Sequence, residues 1–217
     1  MSPFLHPNQL DRAIEALRKD LLLEGGPQIS TVRNYNFAIL PYAPTDEFPL
    51  RERINRLSQE LRDAGWNTAS IALNKLLLQR LRGLGDDYLQ ATISREKRLY
   101  EKGLARSLDH IKNKVIEEIE GPNGLAADVV REIERLLAPA PGDSSLLPKS
   151  NRTVIFIGRA GALFPFFRTS ALLKHMADHT RNVPIVLLYP GQVVGETGLK
   201  FMNVLPADRD YRPRIYR

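Results

Sequence analysis

Three apolar runs constrain this chain more than any other feature: "NYNFAILPYAP" near residue 40, "TVIFIG" from 153 and "VPIVLLYPG" from 183. A strand with one wet face alternates apolar and polar residues, because successive side chains point to opposite sides. Runs without that alternation must be covered on both faces, as in a parallel sheet with helices above and below it. The segments between them have helical period. Leu10, Ile14, Leu17 and Leu21 form one stripe, stopped by Gly25-Gly26-Pro27, and Leu50, Ile54, Leu57 and Leu61 form another, stopped by Gly65. The first run reads as a buried strand ending at Leu40 or Pro41, and "NTASIALNKLLLQRL" adds a strand around 69–73 that leads directly into a helix. Strand, helix and strand in that order imply parallel pairing through right-handed crossovers. The fold class predicted is α/β, a three-layer sandwich with a mostly parallel, Rossmann-like sheet.

Residues 86–138 interrupt this rhythm and read as a helical insertion. Leu104, Leu108, Ile111, Val115 and Ile119 form one apolar face of a long charged helical stretch. "GPNG" at 121–124 turns the chain into a further helix with Ile133 and Leu137 inward. The segment 138–151, "APAPGDSSLLPKSN", is proline-rich and without period, a surface linker. A chain of 217 residues is long enough for one α/β domain with a sizeable core, and one is expected. No apolar run reaches the ~18–20 residues that span a bilayer, and "MSPFLHPNQL" lacks a basic start followed by an apolar stretch. The chain has no cysteine, which excludes disulfides, thiolate metal sites and cysteine nucleophiles; a cytoplasmic address is expected.

The formal charge of +6 is unevenly placed: residues 1–150 hold 21 Lys+Arg and 21 Asp+Glu, whereas residues 151–217 hold ten and four. Such asymmetry suits contact with nucleic acid or an acidic protein, or simply a soluble basic end. Arg209, Arg212, Arg214 and Arg217, with Tyr211 and Tyr216, are the residue types that meet phosphates and stack on bases, although Asp208 and Asp210 lie among them.

In parallel sheets ligands sit beyond the carboxyl ends of the strands, where "PYAPTDEF", "GRAGALFPFF" and "YPGQVVGETG" are expected to converge. The middle loop joins strand to helix through Gly158 and Gly161, as phosphate-binding loops do. It lacks the lysine and hydroxyl pair of a P-loop, and Leu163, Phe164, Phe166 and Phe167 fill the volume a phosphate needs. Pro165 suits the first turn of a helix. Arg159 and Arg168 are placed to bind an anion or to make structural salt bridges. His175 and His179 have the spacing of zinc-binding helices, but Met176 occupies the position of the glutamate base and no third ligand is evident. Asp46 and Glu47 are an acid/base pair or, more simply, stabilisers of the helix that follows. No metal, cofactor or catalytic residue is expected, and the chain reads as a non-enzyme.

Three segments, "FAILPYAPTDEFPLRERINRLSQEL", "IFIGRAGALFPFFRTSALL" and "VPIVLLYPGQVVGETGLKFMNVLPADRDYR", resemble in order the hallmarks of the BrxB family of bacteriophage exclusion (BREX) systems. The resemblance spans nearly the whole chain. Its most specific marks are Gly158, Gly161, Pro165 and Arg168 after one strand, Tyr189, Pro190 and Gly191 closing another, and the late Tyr211-Arg212. Asp210 stands where the family often carries a second aromatic. The resemblance implies a small core component of an antiphage system that works beside PglZ, BrxC and PglX, with no catalytic residue of its own. The expected activity is therefore that of a scaffold or adaptor, with PglZ the first partner and BrxC and PglX further ones. The partner surface is expected at the sheet end, on Asp46, Glu47, Arg159, Phe164, Phe166, Phe167, Arg168, Pro190 and Gly191. Arg168 would reach an acidic group there, on the partner or on Asp46 and Glu47. A DNA-binding component using the basic end is the alternative, and a small-molecule sensor at the strand-end cleft a third.

Overall fold

The computed structural model describes residues 7–24, 26–29, 36–120, 123–138, 152–167, 172–173, 176, 183–208 and 213–217. Its strands are β1 (Phe37–Tyr42), β2 (Asn67–Ala72), β3 (Thr153–Gly158), β4 (Ile185–Val194), β5 (Gly198–Phe201) and β6 (Arg214–Ile215). The order across the sheet is β2-β3-β4-β1-β6, and every pair along that path is parallel. The helices are α1 (Pro7–Leu21), α2 (Glu47–Asp63), α3 (Leu73–Gly83), α4 (Asp86–Lys102), α5 (Leu104–Ile119) and α6 (Leu125–Leu137). The expected α/β architecture is thus present, with strand and helix limits within a few residues of those read from period.

The two faces of the sheet carry separate cores, divided by residue parity. Ala38, Leu40, Tyr42, Val154, Phe156, Val186 and Leu188 point to the face covered by α1 and α2. Phe37, Ile39, Ile155, Ile157, Ile185, Leu187 and Tyr189 point to the other, covered by α3, α6, the end of α5 and the residues Leu172, Leu173 and Met176. This is the double coverage that the unalternating runs require. The coverage is unequal, however. Thr68 and Ser70 of β2 stand in register with Val154 and Phe156 of β3, yet Ser70 is exposed while Phe156 is buried. Arg62 of α2 reaches the edge strand β2 and donates to the Thr68 hydroxyl at 2.7 Å, but Ser70, nearer the carboxyl end of that strand, is left open.

Three expectations are corrected. The apolar helical stretch from 86 breaks at Gly103, whose φ of 140° and ψ of 133° only glycine adopts readily, giving two helices in place of one. Along its apolar face Val115 and Ile119 are buried, whereas Leu104 and Leu108 are exposed. Pro165 does not open a helix. Ala160–Leu163 forms a 3-10 turn, then Phe164 is extended (φ −66°, ψ 137°), the conformation a following proline imposes, and the Phe164–Pro165 bond is cis. Tyr189-Pro190-Gly191 does not close its strand, because β4 runs on to Val194. Its neighbours β1 and β3 stop at Tyr42 and Gly158, and the backbone groups left over pair with the antiparallel β5, from Gly191 opposite Phe201 to Val194 opposite Gly198. The linker from 139, His175 and His179 lie outside the described residues.

Candidate functional site

The connection after β1 crosses the sheet on the α2 face to reach β2, whereas the connection after β2 returns on the other. Loops leaving the strand ends in opposite directions open a crevice at the carboxyl edge, the usual ligand position in such sheets. Here it is a cleft of about 200 Å³. Its floor is Phe156 and Leu188, its walls are Leu50, Ile54 and Asn55 of α2 and Ser70 to Ala72 of β2, and its mouth is Tyr42, Glu47, Arg51, Gly158 and Arg159. The opening lies between α2 and the carboxyl half of the edge strand β2, where Ser70 is exposed.

The mouth is held by one carboxylate. Tyr42 sits at the end of β1 and its hydroxyl donates to Glu47 Oε2; Arg159 donates through a terminal nitrogen to Glu47 Oε1 at 3.4 Å, and Arg51 Nε lies 4.0 Å from the same oxygen. Arg159 reaches it from a left-handed backbone (φ 64°), an uncommon conformation for a residue with a side chain. This bond ties the loop after β3 to the helix after β1, across the end of β4. Asp46 occupies the N-cap position of α2 without a side-chain cap bond, and Glu47, the first residue of the helix, turns to Tyr42 and Arg159. The partner expected for this acidic loop was Arg168, which lies outside the described residues; among the described ones Arg159 takes that place.

Burial pushes the Tyr42 hydroxyl above the usual tyrosine range, and the bond to the Glu47 carboxylate pushes it further. The folded protein thus keeps Tyr42 protonated beyond pH ~10, where an unfolded tyrosine ionises. Stability contributed by the protonated hydroxyl is complete below that pH and is lost as pH rises above it. Tyr216 behaves alike, raised by burial and by its bond to Asp20 at 2.7 Å. Urea unfolding across the alkaline range is therefore expected to show stability falling above pH ~10, less steeply in Tyr42→Phe. That variant should lose about 1 kcal/mol at neutral pH. An unchanged alkaline slope in Tyr42→Phe would contradict the buried Tyr42–Glu47 bond.

The expected partner residues separate into two groups. Glu47 and Arg159 meet at the mouth, with Asp46 beside them. Phe167 is 1% exposed and packs edge-on against Phe201 at 6.4 Å, so it belongs to the core and not to a surface. Phe164 and Phe166 are half-buried against the same core. Pro190 and Gly191 are buried within β4, which is why neither is available to a partner. Sequence reasoning missed Phe48 and Arg51. Phe48 is 72% exposed at the start of α2, and the Arg51 guanidinium lies over its ring at 4.5 Å from the centroid. The available signal was the i, i+3 spacing of an aromatic and an arginine outside the Leu50/Ile54/Leu57/Leu61 stripe.

At the basic end, Arg209, Tyr211 and Arg212 lie outside the described residues. Arg214 makes an ion pair with Asp20 at 2.8 Å and stacks on Tyr216, and Arg217 donates to the Glu196 carbonyl. These bonds fasten β6 to α1 and to the β4–β5 turn. Among the described residues no group of three or more His, Asp or Glu is placed to hold a metal ion, and no helix is long and apolar enough to cross a membrane.

No curated protein and no solved structure matches the chain. The family model for BREX protein BrxB matches residues 69–215, more than half of the chain. The match takes in β2 to β6, the Gly158–Arg159 side of the cleft and α3 to α6, and leaves β1, α1 and α2 outside it. Resting on that extent of match, and on a sheet that orders the same segments around one strand-end cleft, the chain belongs to the BrxB family and is a component of a BREX antiphage defence system.

Proposed function

We propose that this BREX component is a non-catalytic scaffold that binds PglZ, and through it other components such as BrxC or PglX, at the sheet-end mouth. The observation that carries the reading is Phe48, an aromatic ring 72% exposed beside the cleft and stacked under Arg51. Exposed aromatics and arginines are the residues that dominate interface energetics. The Glu47–Arg159 bond beside them gives the mouth a fixed shape before a partner arrives, which lowers the ordering cost of association. Binding DNA through the basic end ranks second, since Arg214 and Arg217 are already engaged within the chain.

Titration calorimetry of purified chain with purified PglZ tests this. Phe48→Ala combined with Arg51→Ala is expected to weaken binding by about tenfold or more, equivalent to about 1.4 kcal/mol. The melting temperature should stay nearly constant, because Phe48 contributes little to the core. Equal loss of affinity and stability would make the pair structural. No association with PglZ, BrxC or PglX would end the scaffold reading.

A further inference from the structure

The hairpin of α4 and α5 projects from the two cores. Helix α4 buries no residue, and the apolar residues through which α5 joins a core are the half-buried Ile111 and the buried Val115 and Ile119, in its second half. Five of the ten large hydrophobic side chains exposed among the described residues lie on this hairpin: Tyr88, Ile93, Tyr100, Leu104 and Leu108. Tyr100 and Leu104 flank the Gly103 turn at 63% and 58% exposure, and Leu108 follows one turn along the face that later enters the core. Monomeric surfaces scatter such side chains singly; a group at the tip of a projecting element marks a contact.

The hairpin is fixed by polar bonds. Glu96 of α4 accepts from the Ser107 hydroxyl of α5 and lies 3.0 Å from His110 Nδ1, so the two helices hold their register without burying the leucines. The Ser107 bond, ahead of that from His110, holds the Glu96 carboxyl below its usual range, so this acid stays ionised and turned inward. Arg95, Lys97, Arg98, Lys102 and Arg106 are exposed along the same stretch, against the acids Glu96, Glu101 and Asp109 between residues 95 and 109. The tip therefore offers exposed apolar side chains together with an excess of positive charge.

We propose that the hairpin tip is a docking surface for an acidic protein, one that presents an apolar centre rimmed by aspartate and glutamate. Charge complementarity selects this occupant. A second copy would bring the same cations face to face, and like charges across an interface are costly. Duplex nucleic acid would use the cations, but Leu104 and Leu108 would find an apolar surface there only by unstacking bases, since the exterior is phosphate and sugar. The proposal rests on the scaffold reading for its role but uses a different surface from the cleft mouth.

The test takes the full chain against each purified protein of the same defence system in turn, by calorimetry at low and high salt. Leu104→Ser with Leu108→Ser, and separately Arg98→Glu with Lys102→Glu, should each weaken at least one complex by about tenfold or more. Both variants should keep the wild-type melting temperature, and salt should weaken the wild-type complex more than the charge-reversed one. Binding that is unchanged in both variants while Phe48→Ala with Arg51→Ala abolishes it overturns the hairpin surface and leaves the scaffold standing. No complex with any component overturns both. A dimer of this chain dispersed by Leu104→Ser with Leu108→Ser, or duplex DNA released by Arg98→Glu with Lys102→Glu and by no leucine change, assigns the surface to another occupant and overturns the proposal.

Discussion

Phe156→Ala is expected to lower the free energy of unfolding by about 3–5 kcal/mol, the range for removing a buried aromatic ring from a packed core. Phe156 lies on β3 between Ser70 and Val186 in register, under the helix α2, and is 1% exposed. At this chain length that loss corresponds to a fall in melting temperature on the order of 10 °C. Ser70→Ala is the matched comparison: it points to the same face, one strand over, but is exposed on the edge strand. It should change stability by no more than about 0.5 kcal/mol, as surface substitutions do. Thermal and urea unfolding of both variants checks the pair. Similar costs at the two positions would mean that Ser70 is covered and that the cleft is closed on that side.

A valine at Gly191 is expected to cost about 3 kcal/mol or more, and to do so by a different mechanism. The Cβ of any residue there would sit on the Lys200 carbonyl oxygen and 2.7 Å from Tyr189 Cε1. The Lys200 carbonyl belongs to β5, so the strand pair must part where β4 leaves the main sheet. Displacing a backbone is harder than bending a side chain, hence a cost at or above the upper part of the range for overpacking. Gly195, in the turn of the same hairpin, has a φ of 67° and open space around it. Gly195→Ala should therefore cost only the left-handed penalty of about 1–2 kcal/mol. Chemical unfolding of the two variants measures the difference; equal costs would show that conformation alone, and not the close approach, requires glycine at 191.

The resemblance named from three segments and the family match to residues 69–215 agree on identity, but they differ in reach. The segment around Tyr42, Glu47 and Phe48 lies outside the match. The half of the cleft that carries the exposed aromatic is thus also the half for which sequence similarity says least.

Period alone determined the layers of this protein. The short alternation-free runs at β1, β3 and β4, bounded by Gly and Pro, read as strands buried on both sides, and the stripes of α1 and α2 as helices facing one side, because side-chain direction follows from backbone geometry. Parity then divides each run between two cores, as Phe156 and Ile157 illustrate. What period does not encode is whether another element arrives to cover a given stripe. Leu104, Leu108, Val115 and Ile119 are alike in sequence, yet the sheet reaches only the last two, and the first two face water. That Glu47 meets Arg159 at 3.4 Å depends on the left-handed turn at Arg159 and on the end of β1 beside β4. Likewise Tyr189-Pro190-Gly191 looks like the end of a strand, and it continues because β1 and β3 stop first and β5 returns to satisfy its backbone. Such outcomes depend on where distant segments end relative to one another, a property of the assembled sheet that local spacing does not contain.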